Sequence, residues 1–136
     1  MVSESIAIFL HHVSIEVRDL VASVAFYTQV IGLRQVDRPA FPSSGAWLDC
    51  AGQQVHLNHK PEMTPQIGRR FDPTGPHFAL RCADFDAAVI GLRAAGYDEH
   101  AADEQRRLII HRTGLAGFAQ LFLFDPDWNL VETNAA

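Results

Sequence analysis

His12, His56, His77 and Glu132 each stand in a short stretch where apolar and polar residues alternate. Side chains on a strand alternate faces, so such stretches read as half-buried strands with one polar side. In HVSIEV, Val13, Ile15 and Val17 take the apolar face and His12 falls opposite; in QVHLN, Val55 and Leu57 point inward and His56 outward. HFALRC puts Phe78, Leu80 and Cys82 on one face and His77 on the other, and LVETN sets Val131 and Thr133 against Leu130 and Glu132. A single histidine or glutamate in such a place is usually solvated or hydrogen-bonded. Four of them, one near the opening and one near the end of each half of the chain, point to a shared task. Three neutral imidazoles and one carboxylate match the donor preferences of Zn²⁺, Ni²⁺ or Fe²⁺, whereas Mg²⁺ and Ca²⁺ take all-oxygen shells. The expectation is a divalent metal held by His12, His56, His77 and Glu132.

The elements that would position these residues repeat. After the first strand, Asp19 can cap a helix whose Leu20, Val24, Tyr27 and Ile31 recur at helical spacing, and Gly32 can end it. Short strands follow around Leu33 to Asp37, Ala46 to Cys50 and Gln54 to His59, separated by Pro39, Pro42, Gly45 and Gly52. The pattern restarts at His77: Asp84 is the cap, Phe85, Ala88, Val89 and Leu92 the apolar stripe, and Gly96 the stop. Laid 65 positions apart, His12 matches His77, Val13 matches Phe78, Ile15 matches Leu80, Val17 matches Cys82 and Asp19 matches Asp84. Strands are then expected near Tyr97 to Ala101, around Leu108 to Arg112, at Phe118 to Phe124 and at Leu130 to Thr133. The reading is an α+β fold of two βαβββ modules, about 9–60 and 75–134, within one domain spanning 1–136. Units of this size need each other to bury their faces.

Between them, Lys60 to Gly75 holds Pro61, Pro65, Gly68, Pro73 and Gly75, which resist regular structure. Arg106 to Gly117 reads as a solvated hairpin or edge strand, or as a lid over a substrate. Trp47, Phe71, Phe122 and Trp128 are candidates for pocket walls or core. Arg81 shares a face with His77, where it could meet an acidic substrate group or a surface carboxylate. His11 and His59 are placed opposite His12 and His56; His100 and His111 fall in the less repetitive part.

Composition narrows the partners. Nearly half of the 136 residues are hydrophobic, which suffices for a core, and the 11 Lys and Arg are scattered through a chain of net charge −5. No basic patch for nucleic acid or an anionic membrane is evident, so the expected partner is a small-molecule substrate. Cys50 and Cys82 lack metal-site spacing and suit a reducing compartment. The apolar run near the N-terminus is too short for a membrane span or signal peptide. A cytoplasmic protein is expected.

Four segments, LHHVSIEVRDLVASVAFYTQVIGL, GAWLDCAGQQVHLNH, GPHFALRCADFDAAVIGLRAAG and FDPDWNLVETN, together resemble the vicinal oxygen chelate superfamily of glyoxalases, bleomycin resistance proteins and dioxygenases. The similarity is greatest to small glyoxalase I-like proteins. It implies two modules forming an open curved sheet or barrel, a homodimer, and ligands at His12, His56, His77 and Glu132. Bacterial glyoxalases commonly have Glu where this chain has His56, which leaves Glu132 as both ligand and candidate catalytic base. The implied activity is a metal-dependent lyase or isomerase that binds two neighbouring substrate oxygens and transfers a proton through an enediolate. Two alternatives stand beside it: an Fe²⁺ extradiol-type ring-cleaving dioxygenase using His12, His77 and Glu132, and a metal-free drug or metabolite binding protein of the resistance type.

Overall fold

A computed structural model describes residues 7–136. Among these residues eight strands run in chain order: β1 (His12–Val17), β2 (Arg34–Val36), β3 (Gly45–Cys50), β4 (Gln53–His59), β5 (His77–Arg81), β6 (Ile109–His111), β7 (Ala119–Phe124) and β8 (Leu130–Ala135). Helix α1 (Leu20–Ala25) follows β1, and α2 (Phe85–Ala94) follows β5. The strands form two four-stranded sheets, ordered β1-β4-β3-β2 and β5-β8-β7-β6. In each, the first strand pairs parallel with the last and the rest are antiparallel. This is an α+β fold of two βαβββ halves with no closed barrel, as the repeat implied.

Both helices start where an aspartate can satisfy their orphan donors. Asp19 accepts from the Ala22 N–H and Asp84 from the Ala87 N–H, each at 3.0 Å. Gly32 and Gly96 then reverse the chain at φ of +95° and +94°. Helix α1 passes into a π-helical turn, Phe26–Val30, closed by the Ile31 N–H to the Phe26 carbonyl. Within it the Thr28 hydroxyl donates to the Val24 carbonyl at 2.7 Å, competing with the regular ladder.

The main core lies between the helices and one face of both sheets. Val17, Tyr27, Leu48 and Leu57 from the first half pack with Val89, Leu121 and Val131 from the second. Neither half covers its apolar face alone. A smaller cluster of Phe122, Phe124, Trp128 and Leu130, with Phe71 and Ile109 against it, covers the other face of the second sheet. The alternation along β7 divides the two: Leu121 and Leu123 go to the helices, Phe122 and Phe124 to the opposite side.

Tyr97 to Ala101 is not the expected strand. Tyr97 is buried in the core, and the segment makes only an isolated bridge, Asp98 to Arg107. β6, within the strand expected around Leu108 to Arg112, is the antiparallel partner of β7 and ends the sheet, and Tyr97 to Ala101 adds no strand beyond it. Residues 60–76 contain neither helix nor strand, as their prolines and glycines suggested.

Candidate metal centre

Strand pairing arranges the helix-averse face of the second sheet in rows, because register partners on neighbouring strands project to the same side. One row runs Ala79, Glu132, Phe122, Ile109; the next runs Arg81, Asn134, Gln120, His111; on the other side lie His77, Leu130 and Phe124. Glu132 is only 5 % exposed, far from the solvated strand residue that a lone glutamate usually is. His77 reaches it across one row: Nε2 lies 3.4 Å from Glu132 Oε1.

The outer atoms of this pair are already engaged. His77 Nδ1 is 2.8 Å from the Gly75 carbonyl, which can only accept, so Nδ1 carries the hydrogen. Nε2 faces the other acceptor, the Glu132 carboxylate, and a cation placed there would take the position of a hydrogen on Nε2. Asn134 Nδ2 donates to Glu132 Oε2 at 2.6 Å, and Arg81 Nε donates to Asn134 Oδ1 at 2.8 Å. An imidazole nitrogen and a carboxylate oxygen thus face each other, the carboxylate buried, where an unpaired charge costs several kcal/mol. Their separation is close to that of two ligand atoms on one tetrahedral cation, about 3.4 Å for bonds of about 2.1 Å. Hydrogen bonds that fix tautomer and carboxylate orientation are what metal ligands receive from their surroundings. The donor set fits a divalent cation.

His12 and His56 form the other pair, on the first sheet. Trp47 is the register partner of His56, and their rings stack at 4.2 Å; His12 stacks on the opposite side of His56 at 4.0 Å. His56 Nε2 donates to Gln54 Oε1 at 2.7 Å, which leaves Nδ1 with the lone pair. Burial lowers the pKa of His56, helped by the charges of His12, His11 and Arg38, so the ring is held neutral and able to donate to a metal. As stacked, the two rings do not aim at one point; His12 must leave the stack for both to bind one ion.

Among the described residues no three His, Cys, Asp or Glu side chains converge closely enough to hold a metal. The chain brings the four expected residues together as two pairs, one per sheet. His12 and His77 nevertheless line the same cavity of about 510 Å³ between β1 and β5.

Asn134 escaped the sequence reading, though the two-residue spacing in ETN could have revealed it: its amide donates to Glu132 and accepts from Arg81, so that Asn134 and, through it, Arg81 orient the carboxylate. Arg81 meets Asn134 and the ring of Phe118, at 4.6 Å, and forms no ion pair among the described residues. His11 is not opposite His12: β1 begins only at His12, and the two Nδ1 atoms lie 2.9 Å apart. His111 borders the cup, its ring 5.9 Å from that of Phe122. Trp47 stacks on His56 and Phe122 meets the His77 ring, whereas Phe71 packs on Phe122 and Trp128 on Phe124, one ring further out in the smaller cluster.

The family model described as Glyoxalase/Bleomycin resistance protein/Dioxygenase superfamily matches residues 9–133. The protein named Glyoxylase I 4 of Arabidopsis thaliana is 29% identical over 126 residues, covering 90% of this chain and 68% of its own length. A glyoxalase/dioxygenase from Nostoc punctiforme superposes with a TM-score of 0.70 at 20% identity, over 99% of this chain and 98% of its own. For a lactoylglutathione lyase from Agrobacterium tumefaciens the TM-score is 0.65 at 23% identity, over 94% and 93%. These two structures are similar in fold. With the family match extending over nearly all of the chain, from the strand that carries His12 to the strand that carries Glu132, the protein belongs to the glyoxalase/bleomycin resistance protein/dioxygenase superfamily.

Proposed function

We propose that the chain is a divalent-metal-dependent lyase or isomerase of the glyoxalase I-like type, acting on a small substrate with two neighbouring oxygens. The observation that carries this reading is the His77–Glu132 pair, with Nε2 and a carboxylate oxygen 3.4 Å apart and every outer atom engaged. His77 and Glu132 would hold the metal from one side, His12 and His56 from the other. When bound, the cation would act as a Lewis acid on the two substrate oxygens and acidify the adjoining C–H. Glu132 would take that proton on a carboxylate oxygen and return it to the neighbouring carbon. Asn134 and Arg81 keep the carboxylate aimed through the transfer. The aromatic floor of Phe122, Phe124 and Trp128 limits water around it.

The second part of the proposal is a homodimer in which the His12–His56 pair of one copy meets the His77–Glu132 pair of the other, within the one-domain, two-module organisation read from the sequence. Support comes from the pairing itself, since each sheet supplies half a ligand set. Ile8, Phe9 and Leu10, beside the free edge of β1, are exposed apolar residues in the single chain. No helix among the described residues is long and apolar enough to cross a membrane, and the reducing compartment argued from Cys50 and Cys82 leads us to place the protein in the cytoplasm.

One observation favours a second reading. His56 is clamped between Trp47 and His12 and its Nε2 is committed to Gln54, which suits a residue beside a metal more than one on it. A two-His, one-carboxylate set of His12, His77 and Glu132 would leave positions open for a catechol and oxygen on Fe²⁺. The deciding measurement is the identity and stoichiometry of metal in protein purified without added metal or chelator. About one Zn²⁺ or Ni²⁺ per chain supports proton-transfer chemistry, and Fe²⁺ supports ring cleavage. No metal, with none taken up on reconstitution, defeats both and leaves a metal-free binding cup.

A further inference from the structure

Next to the Glu132 face lies a second cavity of about 430 Å³ that the metal chemistry does not use. Arg69, Arg70 and Arg107 line it together with Phe71, Ile109 and Phe124, and among the described residues Glu104 is the only carboxylate in its lining. In a chain of net charge −5 this is a local excess of positive charge over an apolar floor. The three arginines are not equivalent. Arg69 is anchored, its guanidinium donating to the carbonyls of Trp128 at 3.4 Å and Pro76 at 3.0 Å, which fixes the 60–76 segment over the aromatic cluster. Arg107 donates through Nε to the Ala101 carbonyl, with Glu104 4.0 Å from Nη1, too far for a strong pair. Arg70 is exposed and makes no hydrogen bond or ion pair among the described residues.

The floor is continuous with the metal centre. Phe71 packs on Phe122 with ring centroids 5.2 Å apart, and Phe122 in turn meets the His77 ring at 6.1 Å. Ile109, Phe122 and Glu132 are successive residues of one row across the sheet, so the cavity wall stands two strand spacings, about 10 Å, from the carboxylate. A guanidinium presents a planar fork that matches a carboxylate or phosphate, and it gains most beside apolar surface that excludes water.

We propose that this cavity is the tail-recognition subsite of the same active site, and that the substrate carries a carboxylate or phosphate joined to its reacting oxygens by an apolar spacer of about 10 Å, with Arg70 and Arg107 as the anion's partners. This rests on the reading of Glu132 as the reacting end, but its test does not need the metal. The full-length protein, as purified, is titrated by calorimetry with 4-phenylbutanoate, 4-phenylbutyl phosphate and the neutral 4-phenylbutan-1-ol. At least one anion should bind about tenfold tighter than the alcohol, with the preference weakening as salt rises. Arg70→Ala should cut the preference at least about threefold while alcohol binding is unchanged, and Arg70→Lys should restore part of it. Glu132→Gln should leave the preference intact, which separates this subsite from the metal chemistry: a protein without metal that still selects the anion through Arg70 upholds the subsite and defeats only the enzyme reading. Equal binding of alcohol and both anions, or a preference untouched by Arg70→Ala, overturns the subsite whatever the metal content.

Discussion

The hydroxyl of Tyr27, in the π-helical turn that follows the first helix, donates to the carboxylate of Asp125 at 2.7 Å, in the turn that leads into the strand of Glu132. Asp125 also accepts from the backbone N–H groups of Asp127 and Asn129 and from the Asn129 amide, and Asp127 accepts from the Arg18 N–H. The Asp-Pro-Asp-x-Asn turn is therefore tied to both halves. Tyr27→Phe should cost about 1–2 kcal/mol at neutral pH, read from urea unfolding, because a buried carboxylate loses one donor. Burial first, and the Asp125 charge second, raise the Tyr27 pKa well above 10.0. The unfolded chain would ionise from about pH 10 while the folded one keeps its proton. Stability from this group is thus present below that pH and lost as pH rises, and the gap between wild type and Tyr27→Phe should narrow there.

Glu132→Gln should retain much of the metal and abolish proton exchange at the substrate carbon. Loss of exchange in deuterated water, followed by NMR alongside metal analysis, checks both parts. Persistent exchange would take the base role from Glu132.

Mixing two inactive variants tests how the pairs meet. One carries His12→Ala and His56→Ala, the other His77→Ala and Glu132→Gln. If each centre draws on two copies, a mixed dimer holds one intact centre and one doubly damaged one. Metal and activity should then reappear on mixing, up to one centre per mixed dimer. Copies that each close their own centre would show no recovery.

Gly45→Ala should destabilise the first sheet. A Cβ there would run into the Leu57 carbonyl, a backbone atom that cannot swing away. The β3–β4 ladder would have to shift, at about 1–3 kcal/mol. Since that ladder carries Trp47 and His56, the His56 ring resonances should move along with the unfolding midpoint.

Most strands were legible because one face of each sheet packs against helices, which imposes period-two patterning on Val13 to Val17 and Phe78 to Cys82. The caps at Asp19 and Asp84 were legible for a local reason, a side chain bonding a backbone group three residues on. Tyr97 to Ala101 misled because its apolar residue serves the core without a partner strand; Tyr97 packs under Arg106, 5.1 Å above its ring. His77 and Glu132 were each legible as the polar residue near the opening and the end of the second unit, but their approach to 3.4 Å was not. The pair's support by Gly75 and Asn134 depends on side-chain rotamers that alternation does not encode, and the His12–His56 stack depends on a third ring, Trp47, from a neighbouring strand.

Neither sheet borrows a strand from the other half, and the connector at 60–76 is without regular structure. A cut between Lys60 and Pro65 would leave every hydrogen-bonded ladder whole and would also spare the Arg69 anchor. The chain is in this sense divisible: among the described residues, two separately made fragments would have the shared apolar core and the contacts of the Asp125 turn to find each other by, so reassembly would report on those.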